Sequence, residues 1–101
     1  MTDERLEQQR LDKWLWHARM TRTRTLAAKL VAAGFVRING QRVSDPARLV
    51  RGGDVLTLAL AHTTRVVKVV GFELRRGSAT VAQALYIDVG QDVRRNGEKR
   101  S

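Results

Sequence analysis

The apolar residues of this chain first fall into register at Leu11, Trp14, Leu15 and Ala18, spaced i, i+3, i+4 and i+7. That spacing gathers all four on one stripe and predicts an amphipathic helix from Arg10 through about Arg19. Arg10, Lys13 and His17 fall on the opposite surface, so His17 is expected beside a basic face. Trp14 lies on the stripe and reads as core. Trp16 lies off it, and reads either as a second packing contact or as an exposed stacking platform. The polar run MTRTRT follows, in which Thr21 or Thr23 can cap a second helix through its hydroxyl. That helix reads RTLAAKLVAAG. Leu26, Ala27, Leu30 and Val31 form its buried stripe, and Gly34 takes the left-handed position where helices commonly end. Two short helices joined by a tight polar turn make a hairpin whose stripes bury each other.

Beyond Gly34 the period changes from helical to alternating: Phe35, Arg37 and Asn39 point one way, Val36 and Ile38 the other, as in a strand. Asn39-Gly40 predicts a two-residue turn with positive φ at both positions, and Gln41, Arg42 and Val43 begin the returning strand. Ser44, Asp45 and Pro46 break it, Ala47 to Val50 read as irregular, and Gly52-Gly53-Asp54 turns into a strand from Val55 to Leu60. After a turn at His62-Thr63-Thr64, Arg65 to Leu74 reads as one longer strand with Gly71 as its bulge. Ser78 can cap a short helix running to about Tyr86, with Val81, Ala82 and Leu85 on its apolar side. From Ile87 onward the chain turns polar and reads as a frayed tail. The expected fold is α+β: a helical hairpin packed on a small, mostly antiparallel sheet, with a short C-terminal helix.

Charge changes the picture more than composition does. Residues 10–53 hold ten Lys/Arg against two Asp, the remainder is nearly balanced, and the whole carries +9. These cations are threaded through helix-period and strand-period apolar positions, so they decorate a folded face, which points to a polyanion partner. With about five of them on RNA phosphates, affinity should fall with salt at a log-log slope of about −3 to −4. The second helix adds free backbone N–H groups and a positive dipole end, with Arg22 and Arg24 on either side of Thr23. Asn39 can serve only the turn, or can reach a base or sugar edge.

Other classes are disfavoured. A chain of 101 residues with 43% apolar content suits one small domain, and no apolar run approaches the ~18 residues of a membrane span. The N-terminus MTDERLEQQR lacks the basic start and apolar stretch of a signal peptide, so a cytoplasmic protein is expected. Absence of cysteine excludes disulfides, thiolate catalysis and cysteine-ligated zinc. Asp12, His17, Asp45, Asp54, His62, Glu73 and Asp88 show no catalytic spacing, and two lone histidines make no metal site. No enzymatic activity and no cofactor are expected.

The ordered set RLDKWLWHAR, TRTRTLAAKLVAAGFVRINGQRV and GGDVLTL resembles the S-four RNA-binding domain, first named for small-subunit ribosomal protein four, over about residues 10–60. Its helical and turn segment is the domain's αL motif. RLDKWLWHAR together with RRGSATVAQALY extends the resemblance to about residue 86 and to the ribosome-associated heat-shock family of about fifteen kilodaltons. What this resemblance implies is binding of ribosomal RNA on the large subunit, notably on a free subunit still carrying peptidyl-tRNA, in recycling or rescue of stalled particles. The RNA-facing residues it implies are Arg10, Lys13, Arg19, Arg22, Thr23, Arg24, Lys29, Asn39 and Arg42, to which the charge pattern adds Arg37. Family members often continue into a long basic C-terminal extension, of which this chain carries Arg94, Arg95, Lys99 and Arg100.

The expected division is a flexible N-terminus (1–9), the RNA-binding domain (10–60), a strand and short helix completing it (61–86) and a flexible tail (87–101). A non-enzymatic, monomeric binder of structured ribosomal RNA is the leading expectation. The alternatives are a targeting module for an RNA-modifying enzyme, which occurs with the same domain in pseudouridine synthases and a tRNA synthetase, and binding to anionic membrane. The apolar stripes are needed for the core, which leaves little to insert in lipid.

Overall fold

A computed structural model of the chain describes residues 7–91. The element order is β1 (Gln8–Arg10), α1 (Leu11–His17), α2 (Arg24–Ala32), β2 (Val36–Ile38), β3 (Gln41–Val43), β4 (Leu49–Arg51), β5 (Val55–Ala59), β6 (Thr64–Val69), α3 (Ala79–Gln83) and β7 (Tyr86–Gln91). Five strands form an antiparallel sheet in the order β3-β2-β5-β6-β7, and β1 pairs with β4 in a separate two-stranded ribbon. The expected α+β architecture is therefore the observed one, with the helical hairpin against one face of the sheet.

Each helix ends for a readable reason. In α2 the amide of Gly34 donates to Val31 O and that of Phe35 to Leu30 O, with Gly34 at φ 85°. These are the paired bonds of a left-handed glycine cap. In α1 the same pair of bonds runs from Arg19 to Trp16 O and from Met20 to Leu15 O, yet the left-handed position (φ 62°) is filled by Arg19. A side chain there is strained relative to glycine. Its guanidinium is tied down by two bonds to Gly77 O, at 3.2 and 3.0 Å. At its other end α1 has no side-chain cap, and the amides of Leu11 and Asp12 donate instead to Arg48 O and Pro46 O.

Leu11, Trp14 and Leu15 from α1, Ala27 and Val31 from α2, Val36 and Ile38 from β2, Leu56 and Leu58 from β5 and Val67 and Val69 from β6 form one buried cluster. The alternation expected after Gly34 holds: Val36 and Ile38 face in and Arg37 faces out. Asn39 (φ 51°) and Gly40 (φ 86°) make the expected hairpin turn, and Val81 N donates to the Ser78 hydroxyl at the start of α3.

Several expectations are corrected. Gln8 and Gln9, expected outside the folded domain, pair in β1, and the supposedly irregular Ala47–Val50 run contains the start of its partner β4. Three-residue strands are too short to reveal a period. The single strand expected from Arg65 to Leu74 stops at Val69, and Gly71 is no bulge. The amides of Val70 and Gly71 both turn to Leu85 O, and Trp14 Nε1 takes Gly71 O at 2.9 Å, so the backbone is drawn out of the sheet. The register shift lies instead between Val66 and Val67, where β7 carries one extra residue. β7 itself replaces the expected frayed tail from residue 87. Residues 92–101, including the four cations near the C-terminus, and residues 1–6 lie outside the described residues. No helix among the described residues is long and apolar enough to cross a membrane.

Candidate nucleic-acid interface

The expected cations divide by what they touch. Arg10 donates from Nε and a terminal nitrogen to the two carboxylate oxygens of Asp12, at 3.1 and 2.9 Å, and Arg24 Nε stands 3.7 Å from the same group. The hydrogen bond to Asp12, then its charge, raises the Arg10 pKa above its ordinary value. Asp12 is 3% exposed, so one buried carboxylate at the start of α1 holds the cations of α1 and α2 side by side. A carboxylate there is also favoured by the backbone dipoles of the first turn.

Lys13 is half-buried on α1. His17 itself is not on the basic face, and the expectation is corrected: the ring is 1% exposed and its Nδ1 lies 3.0 Å from Glu73 O. A carbonyl only accepts, so Nδ1 carries the proton of the neutral ring. Burial, followed by the nearby Lys13 and Arg24, holds the His17 pKa below its ordinary value, against the opposing backbone bond to Glu73.

Thr23 is the cap expected of it, accepting Leu26 N at 3.0 Å. The amides of Arg24 and Thr25 in the same first turn have no protein partner among the described residues. The side chains of Arg22 and Lys29 make no hydrogen bond or ion pair among the described residues, and both line one shallow hollow with Leu26, Leu30 and Phe35. Leu26 was expected in the buried stripe but is 47% exposed, whereas Ala27 and Val31 are buried and Leu30 packs partly buried against the core. Arg37 and Arg42 stand directly opposite each other across the β2–β3 ladder and line a second hollow on the other side of Phe35. The Arg42 side chain packs over Gly34, where an added Cβ would stand 3.4 Å from it.

Two candidates are turned elsewhere. Arg19 is bound to Gly77 O as above. Both ends of the Asn39 amide are used within the protein: its oxygen accepts Val55 N at 2.9 Å and its nitrogen donates to Asp54 at 3.1 Å. Asn39 thus locks the hairpin turn to β5, on the side where Arg48 and Arg51 line a separate hollow together with Asp54. Trp16 is half-buried under the guanidinium of Arg76, 5.7 Å from its ring, so its platform is already covered.

What sequence reasoning passed over is Phe35, 52% exposed between the Arg22/Lys29 hollow and the Arg37/Arg42 hollow. The signal was present, since alternation sets Phe35 on the same side as Arg37. Asp12 groups Arg10 with Arg24, Arg22 and Lys29 share one hollow with Phe35, and Arg37 and Arg42 share the next hollow with the same ring.

The S4 domain family model matches residues 9–56. Heat shock protein 15 homolog of Aeromonas salmonicida is 38% identical over 94% of this chain and 71% of its own length. The chain belongs to the heat shock protein 15 family of S4-domain proteins. The Escherichia coli heat shock protein 15 is 40% identical over 83% of this chain, which spans only 62% of that relative. The trimeric structure of heat shock protein 15 from Vibrio cholerae superposes with a TM-score of 0.80 at 37% identity, covering 94% of this chain and 98% of that one. An S4-domain protein of this family is an RNA-binding protein, and the chain is also 33% identical over 85% of its length to small ribosomal subunit protein uS4 of Xanthobacter autotrophicus, of which it covers 41%.

Proposed function

We propose that this protein binds structured ribosomal RNA without catalysing a reaction, on large subunits that still carry peptidyl-tRNA, and serves their recycling. The observation that carries the reading is the pair of hollows on either side of Phe35, one lined by Arg22 and Lys29 and the other by Arg37 and Arg42, neither with an acidic residue. Arg10, Lys13, Arg22, Arg24, Lys29, Arg37 and Arg42 are the proposed phosphate contacts. Phosphate contacts set register and orientation, so the shape of a folded RNA rather than its base sequence governs most of the recognition. Thr23 supports the site by fixing the first turn of α2, whose unpaired amides offer two further donors to an anion. Asn39 supports it through the turn, and Arg19 by closing α1.

Sedimentation of the full chain with isolated large subunits and with intact ribosomes tests this reading. Selective binding to the free large subunit is expected, and equal binding to both particles refutes the rescue role. The Vibrio cholerae relative is trimeric, whereas a monomer was expected from the sequence, and sedimentation equilibrium separates the two for this chain.

A further inference from the structure

We propose that the hollow beside Phe35 receives one unstacked nucleobase of the bound RNA, the base lying on the Phe35 ring and its flanking phosphates held by Arg22 and Lys29 on one side and by Arg37 and Arg42 on the other. This rests on the RNA-binding reading above and names the feature of the RNA that the site selects.

A single exposed phenylalanine is ordinary on a protein surface. The surroundings of this one are not. Its ring faces an apolar wall of Leu26, Leu30 and Leu60 in a shallow cavity of about 370 Å³, at the small end of ligand sites (about 300–1,000 Å³). Its backbone is fixed on both sides, because its amide donates to Leu30 O at 3.2 Å and its carbonyl accepts Ala59 N at 2.9 Å. The ring therefore projects from the rigid junction of α2 with the sheet and needs little ordering on binding.

Charge decides the occupant. Two cations line each hollow and neither hollow contains an acidic residue, in contrast to the Arg48/Arg51 hollow with its Asp54. Arg37 and Arg42 face each other directly across the ladder, an arrangement of like charges that disfavours the sheet by itself and that an anion between them relieves. An apolar plane flanked by cations without counter-charges is complementary to a nucleotide whose base is splayed out of its helix. Bases presented in this way are what aromatic side chains stack upon in RNA recognition.

The test uses the full chain and two RNA hairpins that differ only in one unpaired adenine within the stem. Wild type should prefer the bulged hairpin, and Phe35→Ala should lose that preference by roughly 5- to 150-fold, the range of base stacking on an aromatic ring. Its affinity for the fully paired hairpin should not change. Phe35→Tyr should retain the preference and Phe35→Leu, which keeps apolar bulk for folding, should not. Equal binding of both hairpins by wild type, or an unchanged preference in Phe35→Ala and Phe35→Leu, overturns the proposal while leaving the phosphate-binding reading intact. No binding to either hairpin or to ribosomal particles overturns both. If Phe35→Ala instead alters the oligomeric state without RNA, the hollow is a contact between copies of the chain and the proposal is wrong.

Discussion

α1 and α2 are similar in length but are used in opposite ways. Of the seven residues of α1, Leu11, Asp12, Trp14, Leu15 and His17 are buried, whereas the nine residues of α2 bury only Ala27 and Val31. The polar atoms of α1 also turn inward. Trp14 Nε1 donates to Gly71 O, and His17 Nδ1 donates to Glu73 O, which also accepts from Gln9 Nε2 of β1, so α1 and β1 together fasten the segment after β6 to the domain. α2 packs through Ala27 and Val31, with Leu30 partly buried beside them, and leaves Leu26 and Lys29, with Arg22 just before its first turn, on the solvent side. One helix builds the molecule and the other presents a surface.

If that contrast is right, substitutions in the two helices should affect different measurements. Trp14→Ala should cost the most, about 3–5 kcal/mol of unfolding free energy by urea denaturation. Leu26→Ala should stay within about 0.5 kcal/mol, as exposed positions do. Similar losses at both positions would abolish the distinction. Thr23→Ala should remove about 1 kcal/mol by unpairing Leu26 N, and Thr23→Ser should restore most of it. The smallest effect concerns pH. Because His17 has a lowered pKa in the folded protein, the unfolded chain binds its proton more readily. The stability it contributes is full above about pH 6.5, the ordinary value, and declines as pH falls toward the folded value. An NMR titration should find the His17 ring neutral, with its proton on Nδ1, at pH 6.5 and titrating below that value. Titration at or above the ordinary value would contradict its placement.

The features legible in the sequence are those enforced by local rules. The i, i+3, i+4 stripe of α1, the Gly34 cap, the Asn39-Gly40 turn and the Ser78 cap each depend on a few neighbouring residues. The features that were not legible depend on distant partners. β1 and β4 are strands because they find each other across the chain, and the strand after Thr64 ends at Val69 because Leu85 O and the Trp14 indole capture the backbone beyond it. His17 was misplaced for the same reason. Helical spacing sets it opposite the stripe, but a carbonyl 56 residues away receives its proton. The candidate site was legible as a set of charges, and its order was not. Asp12 groups Arg10 with Arg24, Asn39 is retained by β5, and Phe35 gains meaning only from the hollows on either side.

The most direct test of the account is the salt dependence of binding to isolated large subunits by wild type and by the Arg22→Ala, Lys29→Ala double variant. Weaker binding at every salt concentration is predicted, with a log-log slope shallower by about 1.4, as expected for two lost phosphate contacts on RNA, and with unchanged thermal unfolding. Equal affinity and equal slope in the folded variant would contradict it.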